Sequence, residues 1–245
     1  MRSMNAGDEA ALVTGGSRGL GKELGKALAR RGARVVLVAR EEEALGRAVA
    51  EIRAEGGEAH GLAFDVGDKE AVHRIAGAAA ALVGTPSIVV HNASTLGPVP
   101  MPLLLDTACE DLERVLEVNL VGPFRLTKAL AGPLLLERRG LFLFVSSDAA
   151  VSAYPRWGAY GISKAAQDHL ARSLAAELDP IRFLAVDPGE MDTAMHAAAI
   201  PDADPATLAR PADVAARILG LVERADRIPN GSRIVLSELS VEEAA

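Results

Sequence analysis

The sequence predicts an α/β protein: one doubly wound parallel sheet of about seven strands in three layers, α/β/α, forming a single domain. Short apolar or β-branched runs alternate with longer helical patterns along the whole chain. Several of those runs are apolar without a break, as strands become when helices cover both faces of a sheet. No linker, low-complexity tract or repeat interrupts the series, and 245 residues are enough for one large core.

In chain order, the strands are read at 10–14 (AALVT), 34–39 (RVVLVA), 60–64 (HGLAF), 87–92 (SIVVHN), 141–146 (LFLFVS), 181–186 (IRFLAV) and 232–236 (SRIVL). Helical patterns fall near 19–31, 41–55, 68–83, 107–138, 158–179 and 211–224. Residues 1–9 read as a disordered lead-in, and 10–245 as the folded domain. Between the sixth strand and the last helix lie about 25 residues, DPGEMDTAMHAAAIPDADPATLARP. Most connections in such folds take two to six residues, so a lid is expected over about 189–210.

Composition narrows the function. A formal net charge of −7 and a pI near 5.3 argue against nucleic acid or an anionic membrane as the main partner, since both need a basic surface. A small anion held by local arginines stays compatible. Cys109 stands alone, so it forms no internal disulfide, and a small buried apolar role is expected for it. The opening MRSMNAGDEA lacks the apolar run of a signal peptide, and no 18-residue apolar stretch is present. A cytoplasmic protein is the expectation.

The first strand runs into TGGSRGLG, Thr14 to Gly21, and then into a helix. Glycines at 15, 19 and 21 permit a tight turn and close approach to a pyrophosphate, which the amides of the following helix would bind. The bland reading is a glycine-rich turn with no ligand, but the strand–turn–helix setting favours a dinucleotide. The second strand ends on Ala39 and Arg40, where an NAD site usually puts a carboxylate. With Arg18 in the loop, two guanidiniums could clamp a 2′-phosphate, which favours NADP(H).

In the helix near 158–179, Ile162, Ala166, Leu170, Leu174 and Leu178 form an apolar stripe. Tyr160 and Lys164 lie off that stripe, so packing does not require the tyrosine. An ammonium beside the phenol is expected to lower its pKa toward the range useful for proton transfer, although such a pair by chance is a common surface feature. Ser147 ends a strand on the side where open α/β sheets bind ligands, or merely starts a turn. Asn119 sits on an apolar stripe four residues before Pro123, which has no N–H to give its carbonyl. A kink is expected there, freeing that carbonyl for a water or another side chain; a buried, capped asparagine is the plainer alternative.

Taken together these residues resemble the short-chain dehydrogenase/reductase (SDR) family, in its compact single-domain form with a Rossmann-type sheet. The likeness covers about Ala10 to at least Thr193. It rests on Thr14, Gly15, Gly19 and Gly21, on Asp65-Val66, HNAS (91–94), Asn119, Ser147, Tyr160-x-x-x-Lys164 and PGEMDT (188–193). The resemblance implies a general acid/base in Tyr160, a lysine (Lys164) that lowers its pKa and holds the nicotinamide ribose, a carbonyl-orienting Ser147, and a water anchored by Asn119. It further implies NADP(H) bound by Gly15, Ser17, Arg18, Gly19, Leu20, Gly21, Arg40, Asp65, Val66, Asn92, Ala93, Tyr160, Lys164, Pro188, Gly189, Met191 and Thr193, and no metal. A small carbonyl or alcohol substrate would exchange hydride with the nicotinamide. Relatives associate through helices corresponding to 107–138 and 158–179, so a homodimer or homotetramer is implied.

Three places depart from the family pattern: Ser94 where glycine is usual, Asp187 before Pro-Gly, and GSRIVLSELSVEEAA in place of an Asp-Gly-Gly ending. Enoyl-type reductases and the larger epimerase relatives fit less well. A non-catalytic NADPH-binding regulator is the alternative from another class. Tyr154, Trp157, Met191, Met195, His196 and Ile200 are expected around the substrate, with a 3-oxoacyl group the leading specific candidate among ketones and aldehydes.

Overall fold

The computed structural model describes residues 9–239, so the lead-in expected over 1–9 lies almost wholly outside the described residues, as does the end of the C-terminal tail. Seven strands form one parallel sheet: β1 (Ala10–Thr14), β2 (Arg34–Ala39), β3 (Ala59–Ala63), β4 (Ile88–His91), β5 (Leu141–Val145), β6 (Arg182–Asp187) and β7 (Arg233–Val235). Their order is β3-β2-β1-β4-β5-β6-β7, every pairing parallel. The helices are α1 (Gly19–Arg30), α2 (Glu42–Ala54), α3 (Lys69–Val83), α4 (Cys109–Leu116), α5 (Gly122–Glu137), α6 (Gly158–Glu177), α7 (Ala194–Ala199) and α8 (Pro211–Glu223).

Unbroken apolarity in the strands has a direct cause. Successive residues point to opposite faces, and both faces are covered. Ala11 and Val13 of β1 enter one core with α1, α2 and α8, while Ala10 and Leu12 enter the other with α3, α5 and α6. Leu141, Leu143 and Val145 of β5 likewise oppose Phe142 and Phe144. The strand order reverses between β1 and β4, which opens a crevice at their carboxyl ends.

Three local features differ from expectation. The helix read over 107–138 is two helices, α4 and α5, joined by a π-turn at Glu117–Val121. Pro123 cannot donate into that turn, and a Cβ on Gly122 would lie 2.3 Å from the Val66 carbonyl oxygen, so the chain widens and presses against the β3–α3 loop. On α6 a polar face is buried over the first half, Tyr160, Ser163, Lys164, Gln167 and Asp168; of the expected apolar stripe Ile162 is exposed, whereas Leu174 is buried and Leu170 and Leu178 pack against the core. Cys109, expected to be buried, is exposed at the first position of α4. The 189–210 connection carries α7 and a bridge between Met191 and Ala209. Among the described residues no helix is long and apolar enough to cross a membrane.

Candidate active site

A cleft of about 1200 Å³ opens over the carboxyl ends of the strands. Its glycine side is built by the β1–α1 turn. Gly15 and Gly19 hold φ of 68° and 54°, in the left-handed region that favours glycine. A Cβ on Gly21 would meet the Gly15 carbonyl oxygen at 2.3 Å and Asn92 Nδ2 at 2.5 Å, so the turn can fold back on α1 only with hydrogen there. The Thr14 hydroxyl donates to the Val90 carbonyl and accepts the amides of Asn92 and Ala93, while Asn92 Nδ2 donates to the carbonyls of Thr14 and Gly15. These bonds weld the turn to the end of β4. No side chain caps the first turn of α1, so its amides remain available to an anion.

Arg40 lies exposed at the end of β2 and makes no ion pair with the described residues. Arg18 is 3.7 Å from Glu41, both side chains well exposed. The Asp65 carboxylate accepts the Gly67 amide at 2.8 Å and pairs with Arg114. Thus the cleft has the shape and the donors for a dinucleotide: a cradle that a Cβ would fill, helix amides with no side-chain cap, and a guanidinium at the end of β2 without an ion pair among the described residues.

On the opposite wall, Tyr160 is 8% exposed and Lys164 1%. The lysine amine donates to the Val145 carbonyl at 2.6 Å and to Gln167 Oε1 at 3.3 Å, and sits 5.5 Å from the centre of the tyrosine ring. Burial pushes the Tyr160 phenol up to about 12, against a smaller opposing effect of the nearby Ser147 and Ser94 hydroxyls, and the Asp148 and Asp187 carboxylates push the same way as burial. Burial brings the Lys164 amine down to about 8, opposed by the Asp168 carboxylate. The expectation that Lys164 lowers the phenol is therefore not met in this state: the amine is engaged by a carbonyl and an amide, and desolvation of the phenol dominates.

Ser147 donates its hydroxyl to Asp148 Oδ1 at 2.9 Å and accepts the Ala149 amide at 3.2 Å. Asp148 Oδ2 accepts the Tyr154 hydroxyl at 2.9 Å. Asn119 is fully buried and its side chain is saturated: Oδ1 accepts the Thr95 amide at 2.8 Å, and Nδ2 donates to the Thr95 carbonyl and to Ser163 Oγ, each at 2.9 Å. Its carbonyl, freed by the π-turn, accepts Gln167 Nε2 at 2.8 Å. Of the two partners expected for that carbonyl, it has another side chain.

The cleft wall includes Gly15, Ser17, Arg18, Gly19, Leu20, Arg40, Asp65, Val66, Asn92, Ala93, Ser147, Tyr160, Lys164, Pro188, Gly189, Met191 and Thr193. Gly21 and Asn119 stand behind it, acting through the residues they support. Sequence reasoning missed Gln167, Arg114, Asp148 and Arg233. Arg233 on β7 donates to Asp168 Oδ2 at 3.0 Å, Asp187 Oδ2 at 2.7 Å and the Ser147 carbonyl at 2.9 Å. Asp187 Oδ1 in turn accepts the Gly189 amide at 3.0 Å, so the unusual aspartate before Pro-Gly is one arm of a clamp. A charged Arg–Asp pairing across the two positions was the only signal, and no local pattern joins them.

The doubly wound sheet with its glycine turn at the switch point defines the nucleotide-binding α/β class. Within that class, the model of the short chain dehydrogenase family matches residues 9–204, and the chain belongs to this oxidoreductase family. A short chain dehydrogenase of Pseudocercospora fijiensis is 39% identical over 194 residues, which are 76% of this chain and 61% of that protein, so the chain spans less than two thirds of that relative. The uncharacterized oxidoreductase YciK of Escherichia coli is 35% identical over 218 residues, covering 84% of this chain and 83% of that protein. A solved short chain dehydrogenase of Shigella flexneri complexed with NADP superposes with a TM-score of 0.83 at 31% identity, covering 94% of this chain and 97% of that one.

Proposed function

We propose that this protein is an NADP(H)-dependent carbonyl reductase, interconverting a ketone or aldehyde with its alcohol. The observation that carries the reading is the buried Tyr160–Lys164 pair facing the glycine cradle across one cleft, with Ser147 beside it. NADPH held in the cradle would supply hydride for the reducing direction. A phenol held near 12 keeps its proton at neutral pH, which is the form that can donate to the carbonyl oxygen as the C–O bond becomes an alkoxide. The phenolate left behind regains a proton from solvent, while Lys164 stays held by the Val145 carbonyl and Gln167. Ser147 turns its hydroxyl from Asp148 to the carbonyl oxygen, and Arg233 holds the Ser147 main chain while it does so.

For the cofactor, Arg40 would take the 2′-phosphate and Arg18 would join it by leaving Glu41. The NADP complex of the Shigella flexneri relative supports the same preference. Exposed apolar side chains on α5 and α6, Leu136, Phe124 and Ile162, support self-association through those helices. The free, exposed Cys109 suits a reducing, cytoplasmic setting.

The test is NADPH oxidation against a panel of ketones and aldehydes, with Tyr160→Phe measured alongside. Loss of the phenolic proton should lower kcat by about 10²- to 10⁴-fold, with cofactor affinity unchanged. Turnover that persists in the variant would remove Tyr160 from the reaction. NADPH binding without any turnover across the panel would favour a cofactor-binding regulator.

A further inference from the structure

The substrate end of this cleft has a charge character that the sequence motifs did not disclose. Leu96, Met101, Ala149, Trp157 and Ala199 cluster around Tyr160, the Trp157 ring edge-on to the phenol at 5.7 Å. That end is apolar in its body. Its exposed carboxylates include Asp148, next to Ser147, and Glu190, whose carboxylate lies 3.7 Å from the His196 ring. The arginines of the cleft wall, Arg18, Arg40 and Arg114, sit with the glycine turn, the end of β2 and Asp65. Arg156 lies close by in sequence, but its guanidinium is turned to the Met101 carbonyl at 3.2 Å and is not part of the wall. The cation nearest Tyr160, Lys164, is buried behind the ring and turned to the Val145 carbonyl and Gln167 Oε1, away from the two carboxylates.

Asp148 is fixed. One oxygen takes the Ser147 hydroxyl at 2.9 Å and the Ala149 amide at 2.8 Å, and the other takes the Tyr154 hydroxyl at 2.9 Å. It is therefore one hydrogen bond away from the hydroxyl proposed to meet the reacting carbonyl, and its field already reaches the Tyr160 phenol. An anionic group carried near that carbonyl would enter the same field and be repelled, most strongly at low ionic strength because Asp148 and Glu190 are solvent-exposed.

Resting on the reading of the site as a carbonyl reductase, we infer that Asp148 is a specificity-determining residue that restricts the substrate to uncharged carbonyl compounds with an apolar body. Glu190 adds to the restriction from the lid side. Ketones that carry a carboxylate close to the carbonyl are poor substrates on this ground. The uncharged and the anionic members of one carbon skeleton differ only in what Asp148 reads.

The test uses methyl 4-acetylbenzoate and 4-acetylbenzoate with NADPH at low ionic strength, on the wild type, Asp148→Asn, Asp148→Ser and Glu190→Gln. The wild type should prefer the ester by about tenfold or more in kcat/KM, and either Asp148 variant should narrow that ratio by about tenfold, with Glu190→Gln narrowing it less. Equal use of the two probes by the wild type, or a ratio unmoved in both Asp148 variants, overturns the inference while leaving the reductase reading intact. NADPH binding with no turnover of any ketone or aldehyde overturns the reductase reading instead, and full turnover by Tyr160→Phe removes only Tyr160 from it. If neither probe turns over, competition is read from NADPH fluorescence in the ternary complex. Ester binding with carboxylate exclusion that Asp148→Asn relieves supports the inference, and equal binding, or binding of neither, overturns it.

Discussion

Replacing Lys164 by methionine should leave a protein that has lost its chemistry yet gained stability relative to wild type at neutral pH, and the size of the gain should depend on pH in a defined sense. The amine is 1% exposed and its pKa falls from 10.5 to about 8 because burial penalises the charge. At about 1.4 kcal/mol per unit, keeping the ammonium buried at pH 7 costs the folded state about 3 kcal/mol. Methionine has the length without the charge, but it leaves the Val145 carbonyl, now bonded at 2.6 Å, without its donor, a loss of about 1–3 kcal/mol. The net at pH 7 is thus a stabilisation of about 0–2 kcal/mol. The pH dependence separates the two effects. The unfolded lysine keeps its proton up to 10.5, whereas the folded one releases it above about 8, so between those values the unfolded chain binds more protons and wild-type stability rises with pH. From pH 7 to pH 10 the wild type should gain about 2.5 kcal/mol on Lys164→Met, measured by urea unfolding of both proteins at both pH values. A difference between the two that stays constant across that range would refute the burial argument.

Two further substitutions probe the parts behind the cleft wall. Gly21→Ala puts a Cβ 2.3 Å from the Gly15 carbonyl oxygen, so the cradle must open; NADPH affinity should fall by more than about tenfold by titration, with a lower melting temperature. Gln167→Leu orphans the Asn119 carbonyl and removes an acceptor from Lys164; a loss of about 2–4 kcal/mol should lower Tm by about 5–12 °C in calorimetry, and an unchanged Tm would show that the bridge contributes nothing.

What was legible in the sequence is what is local. β1 and β2 match their expected bounds to the residue, because each is a run of apolar residues ended by a glycine turn or an arginine at the surface. β3, at the sheet edge with four of its five residues at least partly exposed, has a weaker signal and is displaced by one residue. The glycine turn and the Tyr160–Lys164 spacing are local as well, and the structure brings both to one cleft. The face of α6 was misread for a physical reason. Hydrophobic periodicity finds the side with more apolar atoms, but this helix lies over the carboxyl ends of the strands, where backbone carbonyls and the π-turn need donors. Its polar side is therefore buried over the first half and Ile162 is left outside, while Leu170, Leu174 and Leu178 of the stripe meet the core farther along.

Asn119 shows where local reading ends. Pro123 lacks the N–H that would close the helix onto its carbonyl, so a freed acceptor at Asn119 follows from five residues of sequence. What fills it does not, because Gln167 stands 48 positions away and reaches it only once α6 is packed beside the π-turn. The choice of partner matters chemically. A water at that carbonyl could exchange protons with solvent, whereas a carboxamide has no proton to give up near neutral pH and can only fix distances. Gln167 fixes two at once, since its oxygen accepts Lys164 Nζ while its nitrogen donates to Asn119. The lysine is thereby registered against the π-turn, and through Asn119 against Thr95 at the cleft wall. With that bridge closed, protons returning to the Tyr160 phenolate must come along the open cleft and not through the interior. On the proposed reductase reading, turnover should then show a solvent isotope effect that Gln167→Ala, by admitting water to the bridge, alters more than Gln167→Glu does.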